Sequence, residues 1–169
     1  MVLISNGGDN FARVESYPDK VVVGTTNGVA ILRRADTEWL LEKKVLVGVS
    51  VPAITQAENG FIFAATHSGG VARSRDGGDT WDWVNNGIDH LDHWAIRAGK
   101  LKGKDVICTG TLPAHVYISE NEGKSWQELT ALRKVPSVSQ WCFPPAPHIG
   151  HIKDITFDGD KLTSHDSSS

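Results

Sequence analysis

Tryptophan returns along this chain at nearly constant intervals. Trp39, Trp81 and Trp126 each close a short segment rich in turn residues, and they lie 42 and 45 residues apart. Thr25, Thr66 and Thr111 run in phase with them, at separations of 41 and 45 residues. A period of about 40–50 residues belongs to propeller blades or to helical repeats, and it limits the fold before any single residue does.

The text between the markers reads as strands. Lys20-Val-Val-Val-Gly-Thr25, Phe61-Ile-Phe-Ala-Ala-Thr66 and Asp105-Val-Ile-Cys-Thr-Gly-Thr111 are short β-branched or aromatic runs that end in turn chemistry. After a Gly- or Pro-containing turn each is followed by a second run, beginning at Val29, Val71 and Val116. Upstream runs at 12–17, 52–57 and 94–99 supply a first strand, and the segments opening on the three tryptophans supply a fourth. Gly, Pro and Asn interrupt every window long enough for a helix of about ten residues. Four strands per unit joined by tight turns predict an all-β fold, a β-propeller of four-stranded antiparallel blades. The expected blades span 11–46, 51–87 and 93–130, with the start of a fourth at 151–158. Residues 1–158 then form one partial domain. Residues 159–169 read as a polar disordered tail, ending the chain where the fourth blade's second strand should run. Known propellers use about four to eight blades, so the ring is not closed by this chain alone.

The turn between third and fourth strands carries a motif. Ser74-Arg-Asp76-Gly-Gly78-Asp-Thr80-Trp81 and Ser119-Glu-Asn121-Glu-Gly123-Lys-Ser125-Trp126 share the pattern S-x-D/N-x-G-x-S/T-W. The acidic or amide side chain can accept hydrogen bonds from its own turn, the Gly tolerates a left-handed backbone, and the Trp is a large ring for packing between blades. The motif resembles the Asp-box (BNR) hairpin of sialidase-type and sortilin-like propellers. Trp141-Cys-Phe-Pro-Pro-Ala-Pro-His148 is similar to a segment of bacterial Asp-box repeat proteins labelled sialidase-like by fold. The resemblance covers roughly residues 20–158 and corresponds to the N-terminal half of such proteins. It implies that the acidic residues of the boxes are structural.

Strand order assigns loops to faces. The turns between strands one and two, and between three and four, share one face, so both boxes lie there. The opposite face takes the turns between strands two and three and the connections between blades. His67 and His115 fall in such turns, His90 and His93 in one connection, His148 and His151 in the next together with Trp141. Six of the seven histidines thus gather on the face opposite the boxes. Long polar loops on one face of a rigid scaffold are where binding sites usually sit. His148-x-x-His151 with Asp92 and His93 has imidazole and carboxylate chemistry suited to a metal, although such spacing arises easily by chance.

Seventeen Lys and Arg against 20 Asp and Glu leave a net charge of −3, no footprint for nucleic acid or an anionic membrane. No apolar run approaches the roughly 20 residues of a membrane-spanning helix. Cys108 and Cys142 have neither disulfide nor zinc spacing and read as buried free thiols, which points to a cytoplasmic protein without a cofactor. The leading function is a non-catalytic interaction module offering the histidine-rich face to a small molecule, a glycan or a protein, with self-association as a route to completing the ring. A sialidase-like glycoside hydrolase is the alternative. Glycoside chemistry needs paired carboxylates or a Tyr with a carboxylate partner, and neither Tyr17 nor Tyr117 has an evident one. A truncated fragment without independent function is the third reading.

Overall fold

A computed structural model describes residues 1–4, 19–159 and 161–166. The first sheet holds β1 (Val2–Ile4), β2 (Lys20–Thr25), β3 (Gly28–Ala35) and β4 (Glu38–Val45) in that order. The second holds β5 (Ala53–Gln56), β6 (Ile62–Thr66), β7 (Gly70–Ser74) and β8 (Asp82–Trp83). The third holds β9 (His93–Leu101), β10 (Lys104–Thr111), β11 (Val116–Ser119) and β12 (Gln127–Glu128). Two 3-10 helices, Thr130–Lys134 and Val138–Gln140, precede a hairpin of β13 (Ile152–Asp158) and β14 (Lys161–Asp166). Four blades, the last a half-blade, form an array that is not closed.

Alternation explains how the blades stack. Successive side chains of a strand point to opposite faces. In β6 this sends Ile62 and Ala64 into a cluster with Val22, Val29 and Ile54 of the first interface. Phe63 and Ala65 go the other way, to meet Ile96, Ile107 and Tyr117 of the third blade. Both faces of β6 and β7 are therefore buried, as they must be in a blade held between two others. The third blade repeats the division. Its Ala95, Val106, Cys108 and Val116 face Ile152 and Ile155 of the hairpin.

Three expectations need correction. The ladder between β1 and β2 is parallel, with Val2 opposite Val21 and Ile4 opposite Val23, whereas the other ladders are antiparallel. A parallel pair needs a connection of about a dozen residues or more, and the chain between Ile4 and Lys20 is long enough. The expected strand at 12–17 lies outside the described residues. Residues 161–166 are not a disordered tail: β14 pairs with β13, with Phe157 opposite Leu162 and Thr156 opposite Thr163. Leu162 packs against the third cluster, which adds apolar contact to the ladder that holds the strand. Cys142 is exposed; only Cys108 is buried, and burial pushes its thiol up to about 12.

Candidate functional site

The two box turns are hydrogen-bonded alike. Ser74 Oγ accepts from the Gly78 amide at 2.8 Å and donates to Asp76 Oδ1 at 2.8 Å. Asp76 accepts in addition from the amides of Asp79 and Thr80, both at 2.9 Å, and from the Thr80 hydroxyl at 2.6 Å. Partial burial would raise this carboxyl, but those bonds outweigh it and hold Asp76 well below the usual carboxylate range. In the second turn Ser119 Oγ accepts from Gly123 at 2.9 Å, and Asn121 Oδ1 accepts from Ser125 at 2.9 Å. Asn121 Nδ2 donates to Ser125 Oγ, in the place where Asp76 Oδ2 accepts from the Thr80 hydroxyl.

Each turn leans on the preceding blade. Gly78 faces Val22 and Ile31, and Asp79 draws Lys20 at 3.4 Å and Lys43 at 3.2 Å. Gly123 faces Phe63 and Val84, and the Glu122 carbonyl accepts from the buried Arg73 at 2.6 Å. Ser74, Asp76, Thr80, Ser119, Asn121 and Ser125 are thus engaged in holding their turns, and Asp79 and the Glu122 backbone in holding the blade interface.

The in-phase threonines serve the opposite face. Thr25 Oγ1 donates to the Gly28 carbonyl at 2.8 Å, Thr66 to Gly70 at 2.9 Å, and Thr111 to Pro113 at 2.6 Å. They close the turns that present His67 and His115.

Four of the six predicted histidines come together on that face, in two groups. His67 Nδ1 donates to Asp92 Oδ1 at 2.6 Å, and the ring meets Trp94 edge-on at 4.5 Å. Trp94 lies 4.2 Å from the His151 ring, and Phe143 closes on His151 at 4.7 Å. In the second group His90 lies 4.1 Å from His115, and His115 stacks on Tyr117. His115 Nδ1 donates to Glu128 at 2.8 Å, while Arg133 holds the other carboxylate oxygen at 2.9 Å.

His93 is fully buried between these groups and the core. Thr109 Oγ1 donates to the Ala95 carbonyl at 2.9 Å, so it accepts from His93 Nδ1 at 2.7 Å. Burial lowers His93 to about 4, with the His90 carbonyl pulling weakly the other way. It is neutral near pH 7 and acts as a structural pin. His148 stands apart: it is exposed, at φ 63°, in the loop that follows Phe143. Trp141 packs against the third core cluster, and its indole donates to Ser137 Oγ at 3.2 Å.

The metal candidates do not converge. Asp92 turns to His67 rather than to His93, and His93 is bound to Thr109. Among the described residues no three His, Cys, Asp or Glu side chains are placed to share an ion. Sequence reasoning missed Trp94, Tyr117, Phe143 and Glu128. The adjacency of Trp94 to His93 was the available signal, because alternation along β9 turns neighbouring residues to opposite faces.

A hollow lies on the box face. Its volume is about 610 Å³, and Phe63, Ala98 and Ile107 are among its lining. Its charged rim is satisfied internally: Lys100 pairs with Glu58 at 2.9 Å and Lys104 with Glu120 at 2.9 Å. Volume favours this face, whereas unspent chemistry favours the histidine face.

Stacked four-stranded blades in an array that is not closed give the chain the fold of a β-propeller. A solved structure that it resembles is YCF48 from Cyanidioschyzon merolae, with a TM-score of 0.53 at 16% sequence identity. The match covers 96% of this chain and 56% of that one, so this chain spans little more than half the length of that neighbour. No family model matches the sequence. No curated protein matches it either. Among the described residues no helix is long and apolar enough to cross a membrane.

Proposed function

We propose that this chain is a non-catalytic binding module of Asp-box type that offers the histidine-rich face to a ligand. Trp94 carries the reading. It is set between His67 and His151, and its indole N–H is buried with no acceptor among the described residues. A buried donor left unpaired costs about 1–3 kcal/mol, and the half-buried ring that carries it offers its remaining surface between the two imidazoles. His67 stands beside it, and His115 in the second group, each with Nδ1 committed to a carboxylate, which leaves Nε2 to meet a ligand. Flat aromatic surface with a few fixed polar groups suits a neutral polar ligand, a glycan or a peptide.

A hydrolase gains no support from this face. Its carboxylates Asp92 and Glu128 are each tied to an imidazole, and Glu128 also to Arg133. A cytoplasmic setting agrees with the module, since the exposed Cys142 is a free thiol of the kind kept in a reducing compartment.

Titration with a panel of neutral oligosaccharides and peptides, followed by proton–nitrogen NMR, tests the assignment. The Trp94 indole signal and the rings of His67 and His115 should move together, and Trp94→Phe should abolish the response without lowering the melting temperature. Shifts confined to residues 74–81, 119–126 and the hollow beside Phe63 would place binding on the box face and end this reading.

A further inference from the structure

One short segment holds both histidine groups. Residues 89–93 run from the second blade into the first strand of the third. Toward the second blade, the Leu91 carbonyl accepts from the Gly70 amide at 2.9 Å, and Asp92 holds His67. Toward the third, the Asp92 carbonyl accepts from the Leu112 amide at 2.9 Å, and His90 lies against His115. His93 fastens the segment at its end, through Thr109 of β10. Just beyond it the ladder slips: Ala95 lies opposite Gly110 and His93 opposite Thr111, which leaves Trp94 as the extra residue of a bulge. A bulge interrupts pairing and marks a point where a strand can part from its sheet.

The fastening needs a neutral imidazole. With Nδ1 donating to Thr109, Nε2 carries the lone pair, and it is buried with no partner among the described residues. A proton there is a buried charge without a counter-charge. The titratable groups that face it are His90 of the same segment and Tyr117 of β11, whose phenol burial pushes up. Neither supplies a negative charge. The carboxylates of the neighbourhood are turned elsewhere: Asp92 to His67, Glu128 to His115, and Asp89 toward Tyr117.

We propose that residues 89–93 form a proton-operated latch, which holds both histidine groups in place and frees them together when His93 takes up a proton. The latch rests on the histidine face being the binding face, but its test needs no ligand, so either can fail without the other. Between the ordinary value of 6.5 and the folded value of about 4, the freed segment binds the proton and the fastened one does not. Acid therefore favours release. The freed population should rise on the order of 100-fold across that window, and a ligand held at neutral pH is let go in acid.

Amide hydrogen exchange on the full chain at pH 6.5 and pH 4 tests this, read as protection relative to the unstructured rate at each pH. Gly70 and Leu112 should lose protection together, on the order of 100-fold more than amides inside β6 and β10. His93→Asn keeps a donor for Thr109 and cannot charge, so both amides should then stay protected in acid. The unaltered chain is decisive even where that variant does not fold. Unchanged protection of Gly70 and Leu112 relative to β6 and β10 would overturn the proposal, and so would an equal loss throughout the sheets. Loss at one of the two amides alone would show that the groups are not held as one. Loss that persists in His93→Asn would place the switch in Asp89 or Asp92 and end the assignment to His93.

Discussion

Trp126 of the third blade donates its indole N–H to the backbone carbonyl of Val84 in the second, at 2.7 Å. Its ring lies in the cluster between those blades with Phe63, Val71 and Ile96. The equivalent residue one blade earlier, Trp81, donates instead to Gly78 of its own turn and is only partly buried. One position in the repeat thus makes a bond across an interface in one blade and within a turn in the other.

That difference sets a first prediction. Trp126→Ala removes a buried ring and leaves the Val84 carbonyl unpaired, and should cost about 3–5 kcal/mol. Trp81→Ala should cost about half as much, since part of its ring is already in water. Urea melts of both variants would measure the two losses, and equal losses would contradict the asymmetry.

The two boxes predict each other's tolerance. Asn121 performs with an amide what Asp76 performs with a carboxylate, including a bond to the hydroxyl four residues on. Asp76→Asn should therefore cost less than about 1 kcal/mol, whereas Asp76→Ala, which orphans several donors, should cost about 2 kcal/mol. The folded carboxyl is depressed, so its contribution is present above the unfolded value of 3.8 and fades as pH falls below it. Asp76→Asn should be less acid-sensitive than the parent chain in thermal melts between pH 4 and pH 2.

His93 adds its own dependence at higher pH. Its folded value of about 4 lies below the ordinary 6.5, so between these values the unfolded chain binds the extra proton. Stability from His93 is full above pH 6.5 and is lost as pH falls toward 4, by about 3 kcal/mol at most. His93→Asn keeps a donor for Thr109 Oγ1 and cannot charge. Its denaturation midpoints should vary less between pH 6.5 and pH 4 than those of the parent, and an unchanged slope would refute the assignment.

Much of this was legible along the chain. The phase of Trp39, Trp81 and Trp126 locates the blades, because a turn and a strand of set length are local demands that each segment meets by itself. The Ser74 and Ser119 turns are legible for the same reason, since their hydrogen bonds close within a few residues. The face carrying His67, His90, His115 and His151 follows from counting strands. Tertiary structure decided the rest. It seated Lys161–Asp166 as a strand against β13, gave the first blade a parallel partner, and left Cys142 in water. It also separated His93, spent on Thr109, from His67 and His151, which flank Trp94. Period and turn chemistry depend on neighbours in sequence, whereas burial and ring contacts depend on which blade lies across the interface.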